Sequence, residues 1–143
     1  MFLFYFSIIL AVCSSAFYHF TAKSTPGNVN FTVSLLVTYA IAFLATLLTF
    51  LFFPVQEGVT AELRKLNWAS VGLAVAVVGI EFGFLLMYRA GWNLGISAVL
   101  VTVIASLILV PIAVFVFKDK ISLVNVVGIF VCLAGLVMLN WKR

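Results

Sequence analysis

The sequence predicts an all-α integral membrane protein, a bundle of five transmembrane helices in one domain that covers residues 1–143. Three observations predict this class: 66% of the residues are hydrophobic, only 8% are charged, and the apolar residues form five long runs. A helix needs about 20 apolar residues to cross the hydrocarbon layer, because each backbone amide must find its partner inside the helix. This composition excludes an ordinary water-soluble domain.

The five predicted spans cover about residues 2–22, 31–53, 68–88, 96–117 and 123–139, the last slightly short but adequate. Trp68, Trp92 and Trp141 lie at predicted boundaries, where an indole keeps its ring in the apolar layer and its N–H among the headgroups. Pro54 closes the second span. The connector 54–67 is long enough for one short amphipathic helix or turn at the membrane surface.

The first span begins without the Lys or Arg of a secretory signal, so we expect an uncleaved helix. The run Leu10-Ala11-Val12-Cys13 does resemble a lipoprotein cleavage box, and cleavage there would leave four spans. Cys13 and Cys132 fall within spans and lack metal or redox spacing, so we expect them to be small packing residues.

The basic residues stand singly or in pairs at span ends, so they predict contacts with lipid headgroups rather than with nucleic acid. Counting crossings places four on each face of the membrane: Arg64, Lys65, Lys118 and Lys120 on one, and Lys23, Arg89, Lys142 and Arg143 on the other. Orientation follows the Lys/Arg difference between faces, so this balance predicts insertion in both directions and an antiparallel homodimer. The alternative is an accidental balance with one fixed orientation.

Glu81 is the one ionisable residue well inside a predicted span. A carboxylate at such depth costs several kcal/mol unless it is protonated, hydrated or paired, which makes a role in binding substrate or protons the default hypothesis. The alternative is a structural role, a protonated Glu81 that hydrogen-bonds to a neighbouring helix.

The third span presents two different faces. Small residues form one stripe, which consists of Gly72, Ala76, Gly79 and Gly83. Glu81 and Tyr88 lie on another face, about 200° from Gly79 in the case of Glu81. We therefore expect the glycines to pack against a helix, and Glu81 and Tyr88 to line a substrate or proton site. A pure interface role for Tyr88 is the alternative.

Four further features carry weaker expectations. Gly128, Cys132 and Gly135 form a packing stripe, within the protomer or across a dimer. Pro111 should kink the fourth span and serve as a hinge or as a common membrane proline. Arg89 should snorkel to headgroups or meet an anionic substrate group at a cavity mouth. His19 is expected to be interfacial.

No serine, histidine and aspartate set, carboxylate pair, metal cluster or phosphate-binding loop is found in the sequence, so we expect no enzyme, no cofactor and no metal.

The stretch from Tyr88 to Asn140 carries a spaced set of landmarks. They are the helix end Tyr88-Arg89-Ala90-Gly91, Pro111, the polar turn Lys118-Asp119-Lys120-Ile121-Ser122, then Val127-Gly128-Ile129 and Ala134-Gly135. In this pattern the chain resembles the end of an EamA-type repeat of the drug/metabolite transporter superfamily, and the five-span plan extends the resemblance over the whole chain. Many members have Gly-Glu in the turn where this sequence has Lys118-Asp119.

Typical members of that superfamily carry two such repeats of opposite orientation around a central cavity and export metabolites or drugs by alternating access. This chain is similar to one repeat alone, as in the small five-span bacterial and archaeal branch, which implies a dimer in the cell (inner) membrane. The leading hypothesis is therefore a homodimeric secondary transporter of a small molecule, proton-coupled through Glu81. The alternatives are a lipid-linked flippase subunit or heterodimer partner, and a non-transporting membrane scaffold.

Overall fold

A computed structural model describes residues 2–55 and 57–141, and this part of the chain is all-helical, with no strand. Six helices follow in order: α1 (Phe2–Ser24), α2 (Phe31–Thr49), α3 (Val59–Lys65), α4 (Trp68–Arg89), α5 (Leu94–Phe115) and α6 (Leu123–Asn140). The short helix expected in the connector 54–67 is present as α3. Lys142 and Arg143, predicted to share a face with Lys23, lie outside the described residues.

Four of the described helices, α1, α2, α4 and α5, are long and apolar enough to cross a membrane. The chain is therefore compatible with a multi-pass membrane protein. α6 is apolar but shorter, and the four longer helices correspond to the first four predicted spans.

Four helices, α2, α4, α5 and α6, begin at polar caps that satisfy a free backbone amide. The side chains of Asn30, Asn67 and Asn93 accept hydrogen bonds from the second residue of α2, α4 and α5. Ser122 accepts one from Asn125 N at the start of α6. Asn and Ser are favoured at this position because their oxygens reach the unpaired amides of the first turn.

The end of the second span departs from the sequence prediction. α2 ends at Thr49 rather than at residue 53, and tight turns follow, with Leu51 N donating to Leu48 O at 3.1 Å and Phe52 N to Thr49 O at 3.0 Å. Pro54 explains the early end, because in a helix continued to residue 53 its ring would clash with the carbonyl group of Phe50, four residues before it. The apolar run continues after the helix has ended.

The other predicted boundaries agree with the helix ends to within two residues. α5 starts at Leu94 rather than Ile96, because Asn93 caps it, and ends at Phe115 rather than Phe117. Its last turn leads into Lys118, whose φ of 57° is left-handed, and Asp119 N then donates to Ala113 O at 3.0 Å. A glycine adopts this conformation without the steric cost of a side chain.

The helices divide into two compact units. Unit 2 is Phe20–Ala90, and within it α2 packs against α4. Its buried side chains are those of Leu35, Phe84, Leu85 and Tyr88. Phe31 and Phe82 pack edge to face with ring centroids 5.1 Å apart, so α2 contacts α4 near the start of α2.

Unit 1 consists of the described parts of 1–19 and 91–143, and within it α5 packs against α6. Ser97 is fully buried and donates from its hydroxyl to Leu94 O at 3.1 Å, and Leu136 on α6 is also buried. Pro111 lies inside α5, which continues as helix for four more residues. The kink expected there stays a prediction.

Large apolar side chains remain exposed on every described helix. Trp68, Phe115 and Leu123 are each more than 80% exposed, and Phe17, Phe43 and Phe130 each more than 60%. In water such a surface would drive aggregation, whereas lipid chains or a second protein surface cover it without cost.

The charges of the connector between α2 and α4 lie on its surface. Lys65 forms exposed ion pairs with Glu57 and Glu62, and these hydrogen bonds raise the pKa of the Lys65 ammonium, Glu57 contributing most. Exposed pairs of this kind contribute little to folding. These charged side chains keep the connector in water.

Candidate functional site

One face of α4 holds the polar residues of the site. Glu81, Leu85 and Tyr88 follow one another at helical spacing; Leu85 and Tyr88 are buried, and Glu81 is half-buried. Glu81 lies eight residues before Arg89, about 12 Å along the axis from the end of the helix. The structure thus places Glu81 and Tyr88 on the common face that the sequence predicts, and this face belongs to the packed side of unit 2.

The nearest polar partner of Glu81 is Tyr39, on the adjacent helix α2. Its phenol lies close enough to the Glu81 carboxylate for direct electrostatic interaction. The hydroxyl oxygen is buried and yet completes no hydrogen bond among the described residues. The two groups are therefore close neighbours that stop short of a full hydrogen bond.

Tyr39 was not among the residues singled out in the sequence. One signal for it exists, because Tyr39 lies near the middle of α2 rather than at its ends, and tyrosines in membrane helices favour the two interfaces. The pairing itself depends on how α2 and α4 are rotated about their axes, which hydropathy does not define.

The predicted packing glycines of α4 face open space. An added Cβ atom at Gly79 or Gly83 would meet no atom within 4 Å among the described residues, and at Gly72 it would meet only the ring of Trp68 at 3.6 Å. Gly128 and Gly135 on α6 are equally open. These glycines are therefore available for the close approach of another helix, and the described residues of the chain do not supply one.

Lys23, at the end of α1, lies against the end of α4. Its ammonium Nζ is 5.4 Å from the centroid of the Tyr88 ring and donates to Tyr88 O at 3.4 Å. The Tyr88 ring also stacks on Phe84 with centroids 5.9 Å apart. Tyr88 therefore packs through its ring, and a cation lies over that ring.

Arg89 ends α4 and bridges to the connector between α1 and α2. Its Nη2 donates to the carbonyl oxygens of Val29 and Pro26, and its guanidinium carbon lies 4.6 Å from the centroid of the Phe31 ring. Its Nε is buried without a hydrogen-bond partner among the described residues. The side chain is held by the protein rather than extended freely from the helix end.

These two cations line one cavity of about 340 Å³. The remaining lining residues are Ala22, Thr25, Gly27, Leu85 and Tyr88, and no acidic side chain is among them. Lys23 and Arg89 come together here, in keeping with the face that the count of crossings assigns to both. In the sequence Lys23 is only an orientation signal, so its position in the lining of a cavity is a finding of the structure.

A second, wider groove of about 520 Å³ lies in unit 1 between α1 and α5. Ala11, Ser15, Ala98 and Thr102 are among its lining residues, and His19 stands at one end. The lining is mostly apolar. His19 lies five residues before the end of α1, and its interfacial position stays a prediction.

Within residues 2–55 and 57–141, no group of three or more His, Cys, Asp or Glu side chains could hold a metal ion. Cys13 and Cys132 are both exposed thiols that form no disulfide. In comparisons with known proteins, the chain matches no family model, no curated protein and no solved structure.

Proposed function

We propose that this chain is a small secondary transporter, the single-repeat type of the drug/metabolite transporter superfamily that its sequence resembles. Two copies of opposite orientation form an antiparallel homodimer in the cell (inner) membrane and export a small metabolite or drug-like molecule by alternating access. Glu81 of each copy couples this movement to protons. Tyr88 lines the substrate route, and Pro111 and Arg89 lie at its hinge and mouth.

The observation that carries the proposal is the position of Glu81. It is half-buried on the packed face of an otherwise apolar helix, about 12 Å from the end of that helix. Ionisable residues inside membrane helices mark proton and substrate routes in membrane proteins. The group can hold a proton in one state and a cationic or polar substrate in another.

Tyr39 gives Glu81 a partner that can be exchanged. A fully formed hydrogen bond would hold the carboxyl against α2 as a structural link. Because the Tyr39 hydroxyl completes no hydrogen bond, the pair is close to bonding without being fixed in it. In the proposed cycle the hydroxyl stabilises Glu81 when substrate has left and releases it when substrate enters.

A second copy supplies the surface that one chain lacks. The open glycines at Gly79, Gly83, Gly128 and Gly135 permit a helix of the partner to approach closely. Two oppositely oriented copies would reproduce the inverted repeat that many transporters carry in one chain. In this assembly α6 is the fifth crossing; its 18 residues span about 27 Å, close to the thickness of the hydrocarbon layer.

The test is transport across a pH gradient in proteoliposomes, with labelled amino acids and the fluorescent cation ethidium as probes. Glu81→Gln should retain the thermal midpoint of the wild type, because the amide matches the carboxyl in shape, and should lose flux driven by the gradient. Glu57→Gln, which removes an exposed carboxylate outside the spans, is the matched control and should transport normally.

Tyr39→Phe separates coupling from a structural role. If the pair couples transport, the phenylalanine variant keeps its thermal midpoint and shows altered flux, because no complete hydrogen bond is lost. Gradient-driven flux that survives Glu81→Gln would remove Glu81 from the mechanism. A fall in thermal stability in both variants, with flux lost in proportion, would identify the pair as a structural link.

A further inference from the structure

The cavity at the end of α4 is a site of a different chemistry from Glu81. Its lining residues come from the end of α1, the connector that follows it and the end of α4, so two helix ends meet around it. Ends of membrane-crossing helices lie at the depth of the lipid headgroups. Its volume of about 340 Å³ is at the small end of the range for binding pockets, roughly 300–1,000 Å³.

The charge of the cavity is positive after the helix ends are counted. Lys23 and Arg89 contribute two positive charges, and no acidic side chain is among the lining residues. The ends of α1 and α4 contribute roughly −0.5 each. The sum is about +1, which complements a singly charged anion.

The donors around the cavity suit a tetrahedral oxyanion. Arg89 presents a planar fork whose Nε is buried and has no acceptor among the described residues, although its Nη2 already donates to Val29 O. A buried charged donor without an acceptor is costly, and an oxyanion placed beside it removes that cost. Lys23 adds a point charge to the same lining, and such a pair of guanidinium fork and point charge is typical of phosphate recognition.

We propose that this cavity binds an anionic phosphate group through Lys23 and Arg89. Two sources carry this chemistry at the membrane surface: the headgroup of an anionic phospholipid and a water-soluble phosphate ester. The cavity shares Tyr88 and Arg89 with the proposed transport route but does not contain Glu81, so anion binding holds or fails independently of proton coupling through Glu81.

The alternative role of the two cations is to cap the helix ends. Lys23 donates to Tyr88 O, and Arg89 donates to Pro26 O and Val29 O, so both already satisfy carbonyl groups of the protein. A capping role predicts loss of stability when they are removed and no preference for anionic ligands. The two roles are therefore separable by a binding measurement.

The experiment measures retention of phosphatidylglycerol and phosphatidylcholine by the purified full chain in native mass spectrometry. The wild type should retain phosphatidylglycerol preferentially, because the choline group cancels the charge of its phosphate. Lys23→Gln combined with Arg89→Gln should weaken retention about tenfold. Arg64→Gln combined with Lys65→Gln removes the same charge from the exposed helix α3 and should change retention less than twofold.

Competition by glycerol phosphate then identifies the source. Displacement of the lipid at equal concentration assigns the site to soluble phosphate esters, whereas persistence of the lipid assigns it to headgroups; either result supports the anion site. Equal retention of the two lipids by the wild type, or equal loss in both double variants, overturns the proposal. If the double variant does not fold, Lys23→Gln alone is compared with Lys65→Gln alone; a loss of phosphatidylglycerol retention no larger in the first than in the second overturns the proposal.

Discussion

Glu81 and Tyr39 bring two polar groups together where the surrounding side chains of α2 and α4 are apolar. The pair explains why a carboxyl group can be kept inside an apolar helix, since a phenol hydroxyl lies beside it. The hydroxyl completes no hydrogen bond by its geometry, which supports the exchange of partners proposed for Glu81. Both properties are needed for a group that exchanges its partner.

Lys118 occupies a backbone conformation that costs free energy for any residue with a side chain. Its φ of 57° is left-handed and follows the end of α5. Lys118→Gly should therefore stabilise the folded protein by about 1 kcal/mol, measured as a higher thermal midpoint in detergent.

Lys120→Gly is the matched control, because it removes the same charge two residues away from the left-handed position. It should leave the thermal midpoint unchanged or lower it, since glycine adds freedom to the unfolded chain without relieving strain. An equal rise in both variants would attribute the effect to charge and contradict the account of Lys118.

At the scale of the helices, hydropathy predicted most of what is observed. Continuous apolar runs define where α1, α4, α5 and α6 lie, because a membrane helix must satisfy its own backbone, and their ends agree to within two residues. The predicted end of α2 was wrong because hydropathy reflects side chains only, whereas Pro54 ends the helix through its effect on the backbone before it.

The contacts of the site were less predictable. The shared face of Glu81 and Tyr88 follows from helical periodicity alone. The proximity of Tyr39 to Glu81, and of Lys23 to Tyr88, depends on which helices are neighbours and how each is rotated, and one sequence does not contain that information in its periodicity. The partner of the open glycines is equally hard to predict, because a stripe of small residues does not identify the helix that packs against it.

α6 is the helix on which the count of crossings depends. Its length of 18 residues is about 27 Å, just short of the hydrocarbon thickness, so it must stand nearly upright if it crosses. A fluorophore attached at Val131, near its middle, should therefore be quenched most strongly by lipids brominated near the bilayer centre. Brominated headgroups should quench it weakly.

Two reference positions calibrate the depth: Ile41 in α2 for the bilayer centre and Thr60 in α3 for the surface, in a background with Cys13 and Cys132 replaced by alanine. The measurement is independent of the direction in which a chain is inserted. A label at Val131 that is quenched like the one at Thr60 would mean that α6 lies on the membrane, and the chain would then cross four times.

At the scale of the whole molecule, the exposed apolar side chains and the open glycines need to be covered by lipid or by another protein helix. Lipid covers the apolar side chains. The small residues Gly79 and Gly83 on α4 and Gly128 on α6 instead favour the close approach of a protein helix. A second copy in the opposite orientation meets this need and agrees with the equal number of basic residues on the two predicted faces. The proposed transporter is therefore the dimer and not the single chain.

The measurement that tests this pair most directly is the labelling of single cysteines by a membrane-impermeant maleimide. The positions are Ser24, beside Lys23, and Asp119, beside Lys120, in the background without Cys13 and Cys132. If both orientations coexist, about half of the molecules with either cysteine should react from outside intact cells, and the rest only after lysis. Labelling of each position from one side alone would show a single orientation and contradict the antiparallel homodimer.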